Sequence, residues 1–122
     1  MAVSVNPWAR HFQLAWEERA GDSRLPLWMR VVCLAFGRHR SNGHAPFAPG
    51  QVALVLSTVD SDSGEIHAPS RQEVYRAIKT AVAYGFLAEG SCARCLQVPA
   101  HAVTGGMGSH RAPCAYHDRK RS

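Results

Sequence analysis

Apolar residues recur at helical spacing in four stretches of the chain, and this pattern predicts four helices. The first runs from Pro7 to Ala20, with Asn6 as its N-cap and proline in the first helical position, which proline suits. The second, Pro26–Arg38, is apolar on most sides and is therefore expected at the centre of the core. The other two predicted helices span Phe47–Leu56 and Ser70–Tyr84.

The fourth predicted helix has the clearest boundaries. Ser70 and Glu73 form a capping box, in which each side chain bonds a free backbone N–H at the start of the helix. Gly85 suits the left-handed residue that ends a helix. One face is apolar and is predicted to pack on the core; it carries Val74, Ile78 and Ala81. The opposite side is predicted to be basic and exposed, and it carries Arg71, Gln72, Tyr75, Arg76 and Lys79.

The segment after the fourth helix predicts a small β-hairpin with strands Phe86–Ala88 and Leu96–Val98. Arg38–Pro46 is predicted as a polar loop. The acidic connection Thr58–Pro69 is either a loop or the place of one extra strand, Glu65–His67. The sequence therefore predicts a mainly α fold with a small β-hairpin, in the α+β class.

Length and composition fit one domain of ordinary globular type. With 122 residues, 46% of them hydrophobic, the chain is able to bury one modest core. The longest apolar stretch, Leu25–Phe36, is interrupted by Arg30 and is shorter than the roughly 20 residues that span a bilayer. The N-terminus lacks the basic start and hydrophobic block of a secretory signal. We therefore expect a cytoplasmic protein that does not contact membranes.

The charge balance favours a polyanionic partner. Fourteen Lys and Arg against nine Asp and Glu give a net charge of +5 and a pI near 9.4, and nucleic acid is the usual partner of so basic a chain. The only lysines are Lys79 and Lys120. The remaining basic residues are arginines, whose planar guanidinium binds phosphate or guanine through two hydrogen bonds. Codon usage in a GC-rich genome is the alternative explanation of an arginine-rich chain.

Cysteines near the C-terminus form a metal-ligand pattern, C-x2-C-x18-C-x2-H, made by Cys92, Cys95, Cys114 and His117. Two closely spaced pairs of this kind are typical of a structural zinc site, and thiolates favour zinc over magnesium or calcium. We therefore predict a Cys3His zinc site, in which His101 or His110 is an alternative to His117. Reduced surface thiols without a metal, or a redox C-x-x-C, are the other interpretations of the same residues.

The predicted zinc site argues against an enzyme. Four protein ligands leave no open coordination position for a substrate or a reactive water. The H-x-E pattern of the zinc deaminases is absent. The zinc is instead expected to tie the C-terminal tail to the body of the domain, and its binding is expected to supply folding energy there.

The Phe47–Leu56 helix, the capped Ser70–Tyr84 helix and the phrase Ala81-Val82-Ala83-Tyr84-Gly85-Phe86-Leu87 carry a resemblance to a known family. From about Leu25 to Val98 the chain resembles winged helix-turn-helix DNA-binding proteins, in the style of small regulators or replication proteins of actinobacteria and their phages. The resemblance implies that the Ser70–Tyr84 helix enters the major groove and that Phe86–Val98 is the wing. The connection before that helix is longer than a helix-turn-helix turn of about 3–4 residues, and a plain winged helix has no zinc ligands in its wing.

This interpretation assigns a role to each exposed side chain of the fourth helix. Arg76 is expected to bind guanine and Gln72 to bind adenine. Phosphate and sugar contacts, which fix the register without reading sequence, are expected from Arg71, Tyr75, Lys79 and Arg94. Further phosphate contacts are expected from the tail residues Arg111, Arg119, Lys120 and Arg121. The predicted function is sequence-specific binding of double-stranded DNA, in transcription regulation or as a replication or recombination accessory.

A protein-interaction module is the alternative function. A winged helix with a purely structural zinc would then bind a polymerase or another replication partner. The first helix would offer a contact face or a homodimer face through Trp8, Phe12 and Trp16. In either case the predicted organisation is an N-terminal helix (1–24), a winged helix-turn-helix domain (25–103) and a zinc-binding wing with a basic tail (91–122).

Overall fold

A computed structural model describes residues 11–99, 114, 116 and 117. This part of the chain is a mixed α+β structure with four helices and two small antiparallel sheets. The helices are α1 (Gln13–Ala20), α2 (Leu27–Arg38), α3 (Gln51–Val55) and α4 (Arg71–Ala83). The strands are β1 (His44–Pro46), β2 (Thr58–Val59), β3 (Ile66–His67) and β4 (Cys95–Gln97).

Helix α2 lies at the centre of the core, between α1 and α4, as its apolar sequence predicts. Its residues from Arg30 to Ala35 are all buried. Gly37 allows α1 to approach closely, since a Cβ atom at this position would lie 2.8 Å from the backbone nitrogen of Glu17. Beside this contact, the rings of Trp16 and Phe36 meet edge to face at 5.4 Å. The packing of α1 on α2 therefore depends on a residue without a side chain.

Helix α4 has the predicted boundaries and the predicted core face. The Ser70 side chain accepts a hydrogen bond from the backbone N–H of Glu73, and the Glu73 carboxylate accepts one from the backbone N–H of Ser70. At the other end, Gly85 has a φ of 83°, a left-handed conformation that suits glycine. The residues buried on the core side are Val74, Ala77, Ile78 and Ala81.

The sheet beside the core differs from the predicted hairpin. Strand β4 pairs with β1, with Ala45 opposite Leu96. Strand β1 lies in the segment Arg38–Pro46, which the sequence predicts to be a loop. The predicted strand Phe86–Ala88 is not a strand, although the Ala88 N–H donates to the Gln97 carbonyl. Leu87 is buried in the core and does not belong to a β-strand. This pairing joins distant parts of the sequence, and it places Ala45 and Leu96, both fully buried, in the same layer of the core.

The connection between α3 and α4 contains a short ribbon. Strands β2 and β3 pair with each other, with Val59 opposite Ile66. Strand β3 corresponds to the extra strand Glu65–His67, one of the two alternatives predicted for this connection. Helix α3 is shorter than the predicted Phe47–Leu56, because the left-handed Gly50 immediately precedes it.

At the N-terminus, α1 begins at Gln13, after Phe12 in extended conformation. The predicted N-cap Asn6 and the predicted start at Pro7 lie outside the described residues. Within residues 11–99, no helix has both the length and the apolar character that crossing a membrane requires.

Candidate metal centre and exposed face of helix α4

Four side chains with metal-binding atoms meet on the outer side of the β1–β4 sheet: His44, Cys95, Cys114 and His117. Their donor atoms all lie within 4.8 Å of one another. The Sγ of Cys95 lies 3.5 Å from both the Sγ of Cys114 and the Nδ1 of His44. The Nδ1 of His117 lies 3.4 Å from the Sγ of Cys114 and 3.2 Å from the Nδ1 of His44.

Four of the six distances between these donors are close to the edges of the tetrahedron that surrounds a small metal ion, and all six are within 4.8 Å. With Zn–N and Zn–S bonds of ordinary length, tetrahedral ligands lie about 3.3 Å apart for two nitrogens, about 3.6 Å for nitrogen and sulfur and about 3.8 Å for two sulfurs. The observed separations of 3.2, 3.4 to 3.5 and 3.5 Å are each slightly shorter. The four donors are therefore compatible with a single metal ion at their centre.

The pairing of β1 with β4 explains how two of these donors meet. His44 stands opposite Gln97 and Pro46 opposite Cys95, so these four side chains project from one face of the sheet, while Ala45 and Leu96 project into the core. His44 and Cys95 are diagonal neighbours on the outer face, within reach of each other. The left-handed Gly43, with a φ of 81°, turns the chain immediately before His44.

The other two donors come from the C-terminal segment, which folds against the sheet. The backbone N–H of His117 points at the Sγ of Cys114, at 3.4 Å. The Nε2 of His117 lies 2.9 Å from the Gly90 carbonyl oxygen, and the Gln97 side-chain amide lies 2.9 Å from the same nitrogen. For Nδ1 to bind a metal, the proton must lie on Nε2, where it would be donated to that carbonyl while the Gln97 amide turns its oxygen toward the ring. This is the arrangement that a metal-binding histidine uses to fix its ring.

The surroundings affect the two cysteine thiols differently. Burial, together with hydrogen bonding and charge repulsion from Cys114, raises the pKa of Cys95 far above its ordinary value. Burial also acts to raise the pKa of Cys114, but hydrogen bonds from the backbone and side chain of His117 outweigh it and lower that pKa. A bound cation would favour the deprotonated form of both, because thiolates are the metal ligands.

Three of the four predicted ligands belong to this cluster, and the fourth, Cys92, does not. Cys92 lies in the same tight turn as Cys95, where the backbone N–H of each donates to the carbonyl of the other at 3.0 Å. The predicted alternatives His101 and His110 lie outside the described residues. His44 was not among the sequence candidates. The pairing of β1 with β4, which brings His44 close to Cys95, would have indicated His44 as a ligand. This pairing produces no regular spacing of residues in the sequence.

The predicted basic face of α4 is exposed along its length, at Arg71, Gln72, Tyr75, Arg76 and Lys79. None of its three cations forms an ion pair with any residue in the described part of the chain. The Lys79 ammonium lies over the Tyr75 ring, 5.4 Å from its centroid. No described residue therefore covers the side chains of this face.

Arg94, the predicted contact from the wing, is differently placed. Its side chain is partly buried, and its Nε donates to the Phe47 carbonyl at 3.0 Å. Its guanidinium carbon lies 5.5 Å from the centroid of the Tyr116 ring. These contacts hold the C-terminal segment against the sheet beside the metal-binding cluster. The tail cations Arg111, Arg119, Lys120 and Arg121 lie outside the described residues.

Comparisons with known proteins give no relative for this chain: no family model, no curated protein and no solved structure matches it.

Proposed function

We propose that this chain holds one structural zinc ion through His44, Cys95, Cys114 and His117. The observation that supports this is the convergence of two imidazole nitrogens and two sulfurs within 4.8 Å of one another. A Cys2His2 set is a common closed site for zinc, and its soft thiolates disfavour magnesium and calcium. Four protein donors leave no open position, so the proposed role of the ion is structural and not catalytic.

The zinc proposal is tested by comparing ligand variants of the full chain. Elemental analysis of purified, desalted protein should give one zinc per chain. His44→Ala should lose most of the metal, whereas Cys92→Ala should retain it. The number of thiolate ligands is read independently from the cobalt-substituted protein, because the sulfur-to-cobalt charge-transfer band grows with each thiolate. Retention of zinc by His44→Ala together with its loss in Cys92→Ala would restore the Cys3His set and refute the proposed one.

We further propose that the protein binds double-stranded DNA through the exposed face of α4. The observation that supports this is a row of three exposed cations on one capped helix, Arg71, Arg76 and Lys79, none of which forms an ion pair within the described residues. Gln72 and Tyr75 lie on the same face and add groups that bind base edges or sugars. A helix lying in the major groove needs such a face free over several turns, and the opposite face of α4 holds it on the core.

In this proposal the zinc stabilises the β1–β4 sheet, whose strand β4 follows the DNA-binding helix in the sequence. The ribbon β2–β3 comes directly before α4 and carries exposed Asp60, Asp62 and Glu65. These carboxylates would repel phosphates. We therefore propose that the DNA approaches α4 from the side turned away from the ribbon.

Selection from a random pool of DNA duplexes tests the DNA proposal, because a specific binder enriches a motif and a non-binder enriches none. On the enriched site, Arg76→Ala should weaken binding by about 1–3 kcal/mol if the guanidinium contacts guanine. Binding to unrelated duplex should weaken less. Arg24→Ala is the matched control: it removes the same charge from a side chain that is 87% exposed in the loop between α1 and α2.

The protein-interaction alternative predicts the opposite result in the same selection. It is favoured by one observation: in α3 and the ribbon that precede α4 in the sequence, Leu54, Val59 and Ile66 are each about two-thirds exposed, at 68%, 65% and 68%. Absence of any enriched duplex, with zinc still bound, would favour this alternative and refute the DNA proposal.

A further inference from the structure

Cys92 and Cys95 form a closed pair within one turn beside the metal-binding cluster. The backbone N–H of each donates to the carbonyl of the other, so they are directly opposite residues of an antiparallel bridge. Opposite residues of such a pair project their side chains to the same face, with Cα atoms about 5.5 Å apart. A disulfide accepts this separation, since Cα atoms of bridged cysteines lie about 4.4–6.8 Å apart. The backbone therefore places Cys92 directly opposite Cys95, although Cys92 is not among the four clustered donors.

The three neighbouring thiols differ in their access to solvent. Cys95 is fully buried and Cys114 is 4% exposed, whereas Cys92 is partly exposed. A small oxidant that diffuses from solvent therefore meets the sulfur of Cys92 first. The sulfurs of Cys95 and Cys114 are also close, at 3.5 Å, but each is shielded and would be held as a metal ligand in the proposed site.

We propose that Cys92 is a peroxide-sensitive site whose oxidation removes Cys95 from the metal-binding set. This inference rests on the proposed zinc site. In the first step the Cys92 thiolate attacks hydrogen peroxide: an S–O bond forms, the O–O bond breaks and hydroxide leaves, which gives a sulfenic acid. In the second step the Cys95 sulfur attacks the Cys92 sulfur: an S–S bond forms, the S–O bond breaks and hydroxide leaves. The two protons of the thiols convert the two hydroxides to water, so that two thiols and one hydrogen peroxide give one disulfide and two waters.

Formation of this disulfide changes the metal site because Cys95 is the donor that joins the sheet to the C-terminal segment. Its sulfur lies against both His44 and Cys114, so its loss leaves three donors. A site with three remaining ligands holds zinc more weakly, and the fold loses the energy that metal binding supplies to it. Reduction of the disulfide by a thiol restores Cys95 and the site. The Cys92–Cys95 pair is thus a reversible oxidation switch for release of the metal.

Peptide mapping distinguishes the two disulfides that the cluster allows. Zinc-loaded full chain is treated with hydrogen peroxide, alkylated and cleaved with trypsin, which cuts after Arg94 and after Arg111. A Cys92–Cys95 disulfide joins peptide 80–94 to peptide 95–111, whereas a Cys95–Cys114 disulfide joins 95–111 to 112–119. We expect the first product to form together with zinc release, followed with a chromogenic chelator, and dithiothreitol to reverse both. Accumulation of the second product instead would overturn the proposal.

Two variants test the role of Cys92 apart from the presence of zinc. Cys92→Ser should bind zinc as the unmodified chain does, and its release by peroxide should slow on the order of tenfold, because the accessible thiol is gone. Cys33→Ala removes a buried thiol of α2 and should leave the release rate unchanged. Equal release rates in Cys92→Ser and the unmodified chain refute the switch, as does loss of zinc binding in Cys92→Ser. Failure of the unmodified chain to bind zinc refutes the zinc site alone, since the disulfide is still scored by mapping.

Discussion

Arg30 is a charged side chain enclosed by the core, with only 6% of its surface exposed. Its Nε donates to the carbonyl of Ala20 at 2.8 Å, and one terminal nitrogen donates to the carbonyl of Leu56 at 3.0 Å. Both carbonyls belong to helix ends, those of α1 and α3, where intrahelical partners are missing. One guanidinium therefore fastens two helix ends to α2, which explains why a cation interrupts the most apolar segment of the sequence.

Replacing Arg30 by Met should destabilise the protein by about 2–4 kcal/mol, because two buried carbonyls lose a charged donor. The measurement is urea unfolding at neutral pH. Arg24→Met, which removes an exposed ion pair with Asp22, is the control and should change stability by less than about 1 kcal/mol. Equal stability of the two variants would mean that water replaces the guanidinium, and would contradict the proposed fastening role.

Glu73 gives a pH dependence of predictable sign. A hydrogen bond from the backbone N–H of Ser70, with a smaller one from its side chain, lowers the pKa of Glu73 below its ordinary 4.5. The folded protein therefore holds this proton less tightly than the unfolded chain. The stabilising contribution is present above pH 4.5 and is lost as the pH falls through the lowered pKa.

In unfolding experiments between about pH 3 and pH 7, Glu73→Gln should show a weaker loss of stability on acidification than the unmodified chain. Comparison with Glu89→Gln separates this effect from a general loss of negative charge. Asp22, whose pKa is lowered to about 2 by its hydrogen bonds with Arg24, is present in both variants, so its contribution to the pH dependence cancels in this comparison. Parallel pH profiles for Glu73→Gln and the unmodified chain would contradict a role of the carboxylate in the cap.

At the scale of elements, the contact between α1 and α2 depends on Gly37. A methyl group there would meet the backbone of α1, with the Glu17 nitrogen at 2.8 Å and the Gln13 carbonyl oxygen at 3.1 Å. Since neither atom is the end of a flexible side chain, the two helices must separate. Gly37→Ala should therefore cost about 1–3 kcal/mol of unfolding free energy, although alanine favours the helix itself.

Gly21 provides the matched control for this prediction. A Cβ atom at Gly21 would have the Glu18 carbonyl oxygen as its nearest contact, at an ordinary 3.5 Å, and its φ of −83° suits any residue. Gly21→Ala is consequently expected to leave the thermal midpoint nearly unchanged. A similar small effect of Gly37→Ala would show that α1 adjusts its position without loss, against the tight packing described above.

The predictability of the elements follows the range of the interactions that form them. Helix α4 has its signals within one turn of each end, at Ser70, Glu73 and Gly85, so its boundaries and its core face follow from the sequence. Strand β1 has only three residues and acquires its conformation from β4, and its His44 meets Cys95 across 51 positions of the chain. Spacing patterns see ligands that are close in sequence. They therefore indicate Cys95, Cys114 and His117 and miss His44.

At the scale of the whole molecule, the metal-binding cluster and the helical core are stabilised by different contacts. The core is a continuous set of apolar side chains from α2, α4 and the inner face of the sheet, with Leu34, Leu56 and Leu96 fully buried. The cluster lies on the outer face of the same sheet and fastens Cys114 and His117 to it. Removal of the metal should consequently affect the attachment of the C-terminal segment more than the packing of the helices.

Chelation gives two readouts that should diverge. Helical circular dichroism should change little, while trypsin should cut at Arg111 faster, because the proposed ligand Cys114 would no longer hold the chain to the sheet. Zinc should raise the unfolding free energy by mass action, by about 2.7 kcal/mol when the free ion exceeds its Kd 100-fold. His44→Ala should resemble the chelated protein without any chelator present. Loss of the helical signal on chelation would contradict this separation, because the helices would then depend on the metal as well.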